Sequence, residues 1–192
     1  MKTDTVVHER AHKSHGPPLE GLLESLARLP VPKGYRVEIT DGTVCMSPRK
    51  RIHRRTRRLV MRALKSAFGA DAGVRSGMRI SFPEQRNSFV PDVVKLSGSA
   101  RGQWRVEDIE FIGEVITPHT AANGLGGKKA AYAGAGVPLY LIIDPYTGRT
   151  RAHTLPKDGE YTRELAVIFG AEIGLTIAGS DLPLKTDGFP RG

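Results

Sequence analysis

Two acidic residues stand inside segments of the chain that are otherwise apolar. Asp92 lies in the apolar run 89–96, and Glu114 lies in the apolar run 109–116. An ionised carboxylate in a buried strand is costly unless it is paired or binds a metal ion. Two carboxylates on neighbouring strands also repel each other unless a cation or a proton lies between them. This pair is therefore a candidate functional site.

A divalent metal ion would satisfy both carboxylates, and an oxygen-only ligand set favours Mg²⁺ or Mn²⁺ over zinc. The alternative is that each carboxylate caps a turn or pairs with a lysine at a strand end, and the two acids alone do not decide between these interpretations. Lys128 and Lys129 follow Glu114 near the start of a predicted helix. A lysine beside two metal-binding carboxylates can lower the pKa of an attacking water and stabilise charge on a phosphate. This favours metal-dependent chemistry on phosphate.

The spacing of apolar residues predicts the elements that position these side chains. Asp41-Gly42 is a strong hairpin turn signal. In chain order we predict a short helix over 19–29, a hairpin over 35–47, a long helix over 51–68, three strands over 74–82, 89–96 and 108–116, a helix over 121–135, and strands over 139–143 and 149–155. The order helix, three strands, helix, strand predicts an α/β sandwich around a mixed sheet, with at least one parallel strand pair.

Composition limits the class of protein. The 192 residues are 39% hydrophobic and 26% charged, as in a soluble globular protein of one domain. We expect a flexible arm over 1–18 and a single domain over 19–192. Neither a transmembrane run nor a secretory signal is apparent, so no membrane partner is expected and the cytoplasm is the default location. The single cysteine, Cys45, excludes an internal disulfide and a Cys-rich zinc site, and its alternating segment predicts that it is buried.

The chain is strongly basic, with a net charge of +9, and much of this charge is concentrated in the predicted long helix. The interpretation as a phosphate-binding surface is favoured over a merely solvated face, because such a run of like charges normally repels itself. His53, at the start of the helix, is interpreted as a packed or capping residue rather than as a group that acts on water. The candidate nucleic-acid contacts are Arg51, Arg54, Arg55, Arg58 and Arg62, with Lys65 extending the stripe and Lys129 added from the later helix.

An ordered set of motifs resembles the Uma2 family of restriction-endonuclease-like proteins, also known as domain of unknown function 820, in the PD-(D/E)xK nuclease superfamily. The resemblance covers about residues 19 to 155, and its pieces are specific as an ordered set. The matching segments are Tyr35-Arg36-Val37-Glu38-Ile39-Thr40-Asp41-Gly42, Met46-Ser47-Pro48, Val90-Pro91-Asp92-Val93-Val94, Glu114-Val115-Ile116-Thr117-Pro118-His119-Thr120, Lys128, Tyr132-Ala133, Ala135-Gly136-Val137-Pro138-Leu139-Tyr140 and Asp144-Pro145.

This resemblance implies an αβββαβ core preceded by a helix and a hairpin, and Mg²⁺- or Mn²⁺-dependent hydrolysis of phosphodiester bonds, with DNA the expected nucleic acid. Asp92 and Glu114 match the family's metal ligands, and the backbone carbonyl of Val115 would complete the set. Lys128 matches the family's lysine, which lies on the helix rather than two residues after the second acid. Glu38 matches a further acidic position that would orient the metal or the water.

The chain departs from the family pattern at Gly124, where family members usually carry an aspartate, and at His119, which replaces a small residue. Ile116 occupies the position of the lysine in the wider superfamily. These departures motivate a second hypothesis, a catalytically impaired protein that keeps the fold and binds nucleic acid. A third is a regulatory domain whose basic helix meets an acidic protein. A homodimer is expected only by analogy with nucleases that cut both strands.

Overall fold

The structure is a computed structural model that describes residues 17–98, 104–116 and 125–192. The predicted arm therefore falls largely outside it, as do His119 and Gly124. No helix in these ranges has the length and apolar character needed to cross a bilayer. The elements are α1 (Leu19–Arg28), β1 (Tyr35–Thr40), β2 (Thr43–Pro48), α2 (Arg51–Phe68), β3 (Val74–Arg75), β4 (Ile80–Phe82), β5 (Asn87–Phe89), β6 (Val93–Leu96), β7 (Ile109–Val115), α3 (Leu125–Gly134), β8 (Leu139–Asp144), β9 (Arg149–Lys157), β10 (Glu160–Ile168), β11 (Glu172–Ile177) and β12 (Ser180–Lys185).

A six-stranded mixed sheet forms the centre of the fold, in the order β10-β9-β8-β7-β6-β3. The pair β7–β8 is parallel, and α3 makes the crossover between these two strands. The other pairs in this sheet are antiparallel. The succession α2, β3, β6, β7, α3, β8 confirms the predicted αβββαβ core and its mixed sheet.

A second, four-stranded antiparallel sheet has the order β2-β1-β5-β4. Two predicted strands were wrong in their extent, because the chain changes sheet in the middle of each. The predicted strand 74–82 divides into β3 and β4, and Gly77 between them has a φ of 71°, which favours glycine. The predicted strand 89–96 divides into β5 and β6 around Pro91, which has no N–H to donate to a strand ladder.

Each face of the six-stranded sheet carries its own apolar core. On one face, α2 packs through Val60 and Leu64 together with residues of β7, β8 and the hairpin β11–β12. On the other face, Tyr132 of α3 packs against the residues of β7 and β8 whose side chains point away from the first core. Residues of β4 and β5 belong to this second core as well. Helices α2 and α3 therefore lie on opposite faces, and the molecule is the predicted sandwich.

The first hairpin confirms its turn signal and corrects one prediction. Asp41 and Gly42 adopt φ values of 49° and 75°, and Thr40 pairs with Thr43 across the turn. Cys45 was predicted to be buried but is exposed. The reason is that β2 is an edge strand whose two faces both meet solvent, so alternation along it does not mark a core side.

Candidate functional site

The sheet topology brings the two predicted acids to one place. Asp92 directly precedes β6, and Glu114 is the second-last residue of β7. Because β6 and β7 are antiparallel, with Val93 opposite Gly113, the start of one strand lies beside the end of the other. The backbone N–H of Val115 donates to Asp92 Oδ2 at 3.0 Å, which fixes the aspartate against β7. Both acids are buried.

Strand β1 of the smaller sheet contributes Arg36 and Glu38. They stand two residues apart and therefore share one face of the strand. Glu38 Oε1 accepts the backbone N–H of Val90 at 2.7 Å, and Arg36 Nη1 donates to the Val90 carbonyl at 2.9 Å. These two bonds hold the segment between β5 and β6 against β1, so that the bend at Pro91 delivers Asp92 to the site.

Arg36 lies between the two predicted metal ligands. Its Nη1 is 3.3 Å from Glu114 Oε2 and 3.7 Å from Asp92 Oδ2, and its Nε is 3.7 Å from Glu38 Oε2. Its side chain is only 6% exposed. Burial alone would lower the pKa of Arg36, but the charges of Glu114 and Glu38 outweigh it and raise that pKa. The guanidinium is therefore a permanent cation at the centre of the carboxylates.

Helix α3 contributes Lys128 and Tyr132, which are four residues apart and share a helical face. Lys128 Nζ donates to Glu114 Oε1 at 2.7 Å and to Glu38 Oε1 at 2.9 Å, and it lies 5.2 Å from the ring centroid of Phe89. The Tyr132 hydroxyl donates to Glu114 Oε1 at 3.4 Å. Burial and the charge of Glu114 raise the pKa of Tyr132 well above its usual value, so it remains a neutral donor.

The two glutamates respond differently to the same surroundings. Burial raises the pKa of Glu114 and prevails over the opposing attraction of Lys128 and Arg36. Burial also acts to raise the pKa of Glu38, but Lys128, Arg36 and the Val90 N–H outweigh it and lower that pKa. Of the two glutamates, Glu114 is therefore the one whose negative charge is less well compensated.

The donor set fits a hard divalent cation. Asp92 Oδ2 and Glu114 Oε2 lie close to each other, since both are within 3.7 Å of Nη1 of Arg36. No group of three or more His, Cys, Asp or Glu residues that could hold a metal occurs in the described ranges. Mg²⁺ is commonly held by one or two carboxylates, with water and substrate phosphate completing its shell. Two carboxylates are therefore sufficient.

His53 is packed, as predicted, but it does not cap α2. The helix has no side-chain hydrogen bond at its N-cap. The residue is 4% exposed, and its Nε2 has no hydrogen-bond partner among the described residues. It lies close enough to Arg36 and Glu114 for their charges to act on its pKa. His53 thus borders the cluster from the α2 side.

The predicted basic stripe lies on the outer side of α2. Arg51, Arg54, Arg55, Arg58 and Arg62 are all exposed. Lys129, by contrast, belongs to α3 on the opposite face of the sheet, where its charge acts on His153. In the described ranges none of the α2 arginines forms an ion pair. A cavity of about 610 Å³ is lined by Arg51, Arg54, Arg55, Arg57, Arg58 and Arg191.

The structure brings together Glu38, Asp92, Glu114 and Lys128, the four side chains singled out from the sequence. The sequence analysis missed Arg36 and the contact of Tyr132 with Glu114. The spacing Arg36-Val37-Glu38 in a predicted strand is a signal that could have found the arginine, because it places both charged residues on one face. Tyr132 follows Lys128 by one helical turn, which is a weaker signal, since an aromatic residue at that spacing is usually core.

Comparisons with known proteins bear on the family and the fold of the chain. The family described as "Uma2: Putative restriction endonuclease" matches residues 23–182. A crystal structure of "a putative nuclease belonging to DUF820" from Anabaena variabilis ATCC 29413 superposes with a TM-score of 0.68 at 15% identity, covering 91% of this chain and 98% of that one. At that identity the likeness establishes the fold alone. A search of curated proteins gave no match.

Proposed function

Because the chain belongs to the Uma2 family of restriction-endonuclease-like proteins, we propose that its buried cluster hydrolyses phosphodiester bonds of nucleic acid with the help of a divalent metal ion. The observation that supports this most directly is the convergence of Glu38, Asp92, Glu114 and Lys128 at one end of the central sheet. Glu38 is on β1, Glu114 on β7 and Lys128 on α3, and Asp92 directly precedes β6, so residues far apart in the chain meet at one place. DNA is the expected substrate.

Asp92 and Glu114 would hold Mg²⁺ or Mn²⁺, with the Val115 carbonyl as a further ligand. A bound ion of this kind supplies a Lewis acid for the phosphate and lowers the pKa of a bound water. Lys128 supplies positive charge beside the reacting phosphate, and its bonds to Glu38 and Glu114 hold the ammonium group in place. Glu38 positions both Lys128 and the bend before Asp92.

Cleavage assays test this proposal. Plasmid, single-stranded DNA and RNA are incubated with Mg²⁺ or Mn²⁺ and the wild type, Asp92→Asn, Glu114→Gln or Lys128→Met. We expect each variant to lose about 100-fold or more in rate, as when a charge-stabilising group is removed from an active site. Asp71→Asn is the matched control, because Asp71 is exposed beyond the end of α2 and should leave the rate unchanged. Cleavage that survives Asp92→Asn, or that a chelator does not stop, would contradict the proposal.

A second candidate is a nucleic-acid-binding protein that does not cleave. The observation that favours it is Arg36, whose guanidinium already neutralises part of the charge of Asp92 and Glu114. This candidate predicts binding that weakens steeply with salt, through the arginines of α2, and no metal-dependent cleavage in the same assays. Metal-dependent cleavage by the wild type would therefore support the nuclease, and binding without cleavage would support the non-cleaving protein.

A further inference from the structure

The cavity of about 610 Å³ beside α2 is lined by two distant parts of the chain. Helix α2 contributes Ile52 and five arginines, and the segment 189–192 contributes Pro190 and Arg191. None of these six arginines forms an ion pair with the described parts of the chain. The volume is in the range of roughly 300 to 1,000 Å³ that is usual for ligand sites. This arginine cavity therefore surrounds a ligand-sized space with positive charge.

The segment that carries Arg191 is held in place on both sides of the arginine. Phe189 is buried, and its ring packs against that of Phe169 with the centroids 5.4 Å apart. The Arg191 guanidinium lies over the same Phe169 ring, at 5.6 Å from its centroid. The backbone N–H of Gly192 donates to the Pro145 carbonyl at 3.0 Å. Arg191 is thus exposed to solvent but already positioned, which reduces the entropy lost when it binds an anion.

Gly148, in the turn after β8, leaves room for the Arg191 guanidinium. A Cβ atom at position 148 would overlap Nη1 of Arg191, so that any other residue there would displace the arginine. The φ of Gly148 is 64°, a left-handed value that also favours glycine. The turn and Arg191 therefore pack closely, which further restricts the arginine side chain.

The arginine cavity lies at the same end of the central sheet as the carboxylate cluster. Strands β7 and β8 are parallel, and Glu114 is opposite Ile142 near the ends of both strands. The turn that contacts Arg191 directly follows β8. Lys50, which immediately precedes α2, donates from Nζ to the Tyr146 hydroxyl of that turn at 3.2 Å. The start of α2, the turn and Arg191 therefore meet at the end of the sheet that carries Glu114.

The composition of the cavity wall favours a ligand that carries several phosphates. The guanidinium group binds phosphate in a bidentate manner, and Arg is preferred over Lys where this geometry matters. One phosphate ion would leave most of the six cations without a counter-charge. A nucleic-acid backbone presents a regular series of negative charges along its length. Charge complementarity therefore selects a nucleic-acid strand as the occupant.

We infer that Arg191 and the arginines of α2 form a cleft that holds the sugar-phosphate backbone of a nucleic-acid strand. Arg191 is a contact outside α2, which the spacing of charges along the helix does not reveal. The cleft keeps the bound strand at the end of the sheet where Glu114 lies. It rests on the proposed function for the identity of its ligand, but it does not require cleavage.

Equilibrium binding of a fluorescent DNA duplex of about 20 base pairs, measured over a range of salt concentrations with a chelator present, tests the cleft without catalysis. We expect Arg191→Met to weaken binding at low salt by about 10-fold, as for the loss of a charged hydrogen-bond donor. The slope of log K against log salt concentration should become shallower by about 1, since one phosphate contact is lost. Arg163→Met, which removes the same charge from an exposed position on β10, is the matched control and should change neither quantity.

The melting temperature of Arg191→Met should stay close to that of the wild type, because Arg191 is exposed. If this variant does not fold, Arg191→Gln replaces it in the same titration, since its amide keeps a polar group at the surface. Wild-type affinity and slope in the Arg191 variant, or an equal change in Arg163→Met, would overturn the cleft. So would a wild type that does not bind DNA at low salt. Failure of cleavage with this binding pattern intact would instead contradict the nuclease proposal alone.

Discussion

At the scale of single residues, the site is a balance of buried charges. Three carboxylates, of Glu38, Asp92 and Glu114, meet two cations, Arg36 and Lys128, so one negative charge is left over. Burying an uncompensated charge is expensive. Burial raises the pKa of Glu114, and the charges of Glu38 and Asp92 add smaller contributions in the same direction. A bound divalent cation would offset the excess negative charge, which couples the stability of the cluster to its proposed ligand.

Replacing Arg36 tests how much this charge balance contributes to the free energy of unfolding. Arg36→Met leaves three carboxylates against Lys128 alone, so we expect the free energy of unfolding at pH 7.5 to fall by about 3 kcal/mol or more. The double variant Arg36→Met with Glu114→Gln should recover part of the loss, because it removes one uncompensated charge. Urea unfolding with a chelator present measures both. The control Arg163→Met, on an exposed site, should stay within about 0.5 kcal/mol; an equal loss there would count against the charge balance.

His53 should make stability depend on pH. Its pKa falls from the ordinary 6.5 to about 4 in the folded protein, mainly through burial. The unfolded chain therefore takes up the proton first, and stability present above pH 6.5 is lost as the pH falls toward 4, by at most about 3 kcal/mol. His53→Leu should lack this loss, so the unfolding free energy of the wild type should fall relative to that of the variant as the pH is lowered from 7.5 to 4.5. Parallel profiles from pH 7.5 to 4.5 would show that His53 does not titrate in this way.

At the scale of elements, α2 has one face that packs into the core and one face that is exposed to solvent. Its inner face buries His53, Val60 and Leu64 against the central sheet and the β11–β12 hairpin. Its outer face carries arginines that have no ion-pair partners in the described ranges and are exposed to solvent. The helix begins near the carboxylate cluster, since the charge of Glu114 acts on His53 in its first turn. A nucleic-acid strand bound along the outer face of α2 would therefore pass close to Glu114.

Replacing Arg54, Arg55 and Arg58 by Gln should weaken binding to DNA at low salt. If each arginine contacts one phosphate, the slope of log K against log salt concentration should become shallower by about 2 to 3. A triple variant at Lys157, Arg163 and Lys185 provides the control, since it removes the same charge from exposed positions outside α2. Equal slopes for the two triple variants would mean that net charge, and not this helix, drives binding.

At the scale of the whole molecule, the strands of the central sheet contribute side chains to both apolar cores, one on each face of the sheet. Val93 faces the α2 core and Val94 faces the α3 core, as alternation along β6 requires. The C-terminal hairpin belongs to the first layer, because Ile173 and Leu184 are buried in the α2 core. The hairpin thus supports the helix that borders the site, although it contributes no residue to the carboxylate cluster.

Leu184→Ala should therefore reduce the stability of the whole domain. We expect the free energy of unfolding to fall by about 3 kcal/mol, the usual cost of such a cavity in a packed core. Leu165→Ala on β10 is the control, since Leu165 is 43% exposed and should cost well under 1 kcal/mol. If Leu184→Ala unfolds only the hairpin and leaves the main transition unchanged, the hairpin is an appendage rather than part of the core.

The sequence by itself determined the types and approximate limits of most elements, and it singled out Asp92, Glu114 and Lys128, while Glu38 came from the resemblance to the family. Local information was enough for the elements and for the two acids in apolar strands, because apolar periodicity defines a helix or strand and a charged residue within it stands out. The helix Arg51–Phe68 and the Asp41-Gly42 turn are clear examples. The acids were noticeable for the same reason, since a carboxylate in an apolar strand needs a partner.

Only the tertiary structure decided which strands share a sheet and which side chains meet. The splits at Gly77 and around Pro91, the edge position that exposes Cys45, and the approach of Arg36 to Asp92 all depend on contacts between segments far apart in the chain. Spacing along the chain carries no such information, because it reports the face of an element and not what lies across from it. His53 shows the same limit, since its position predicts burial but not that Nε2 is left without a partner.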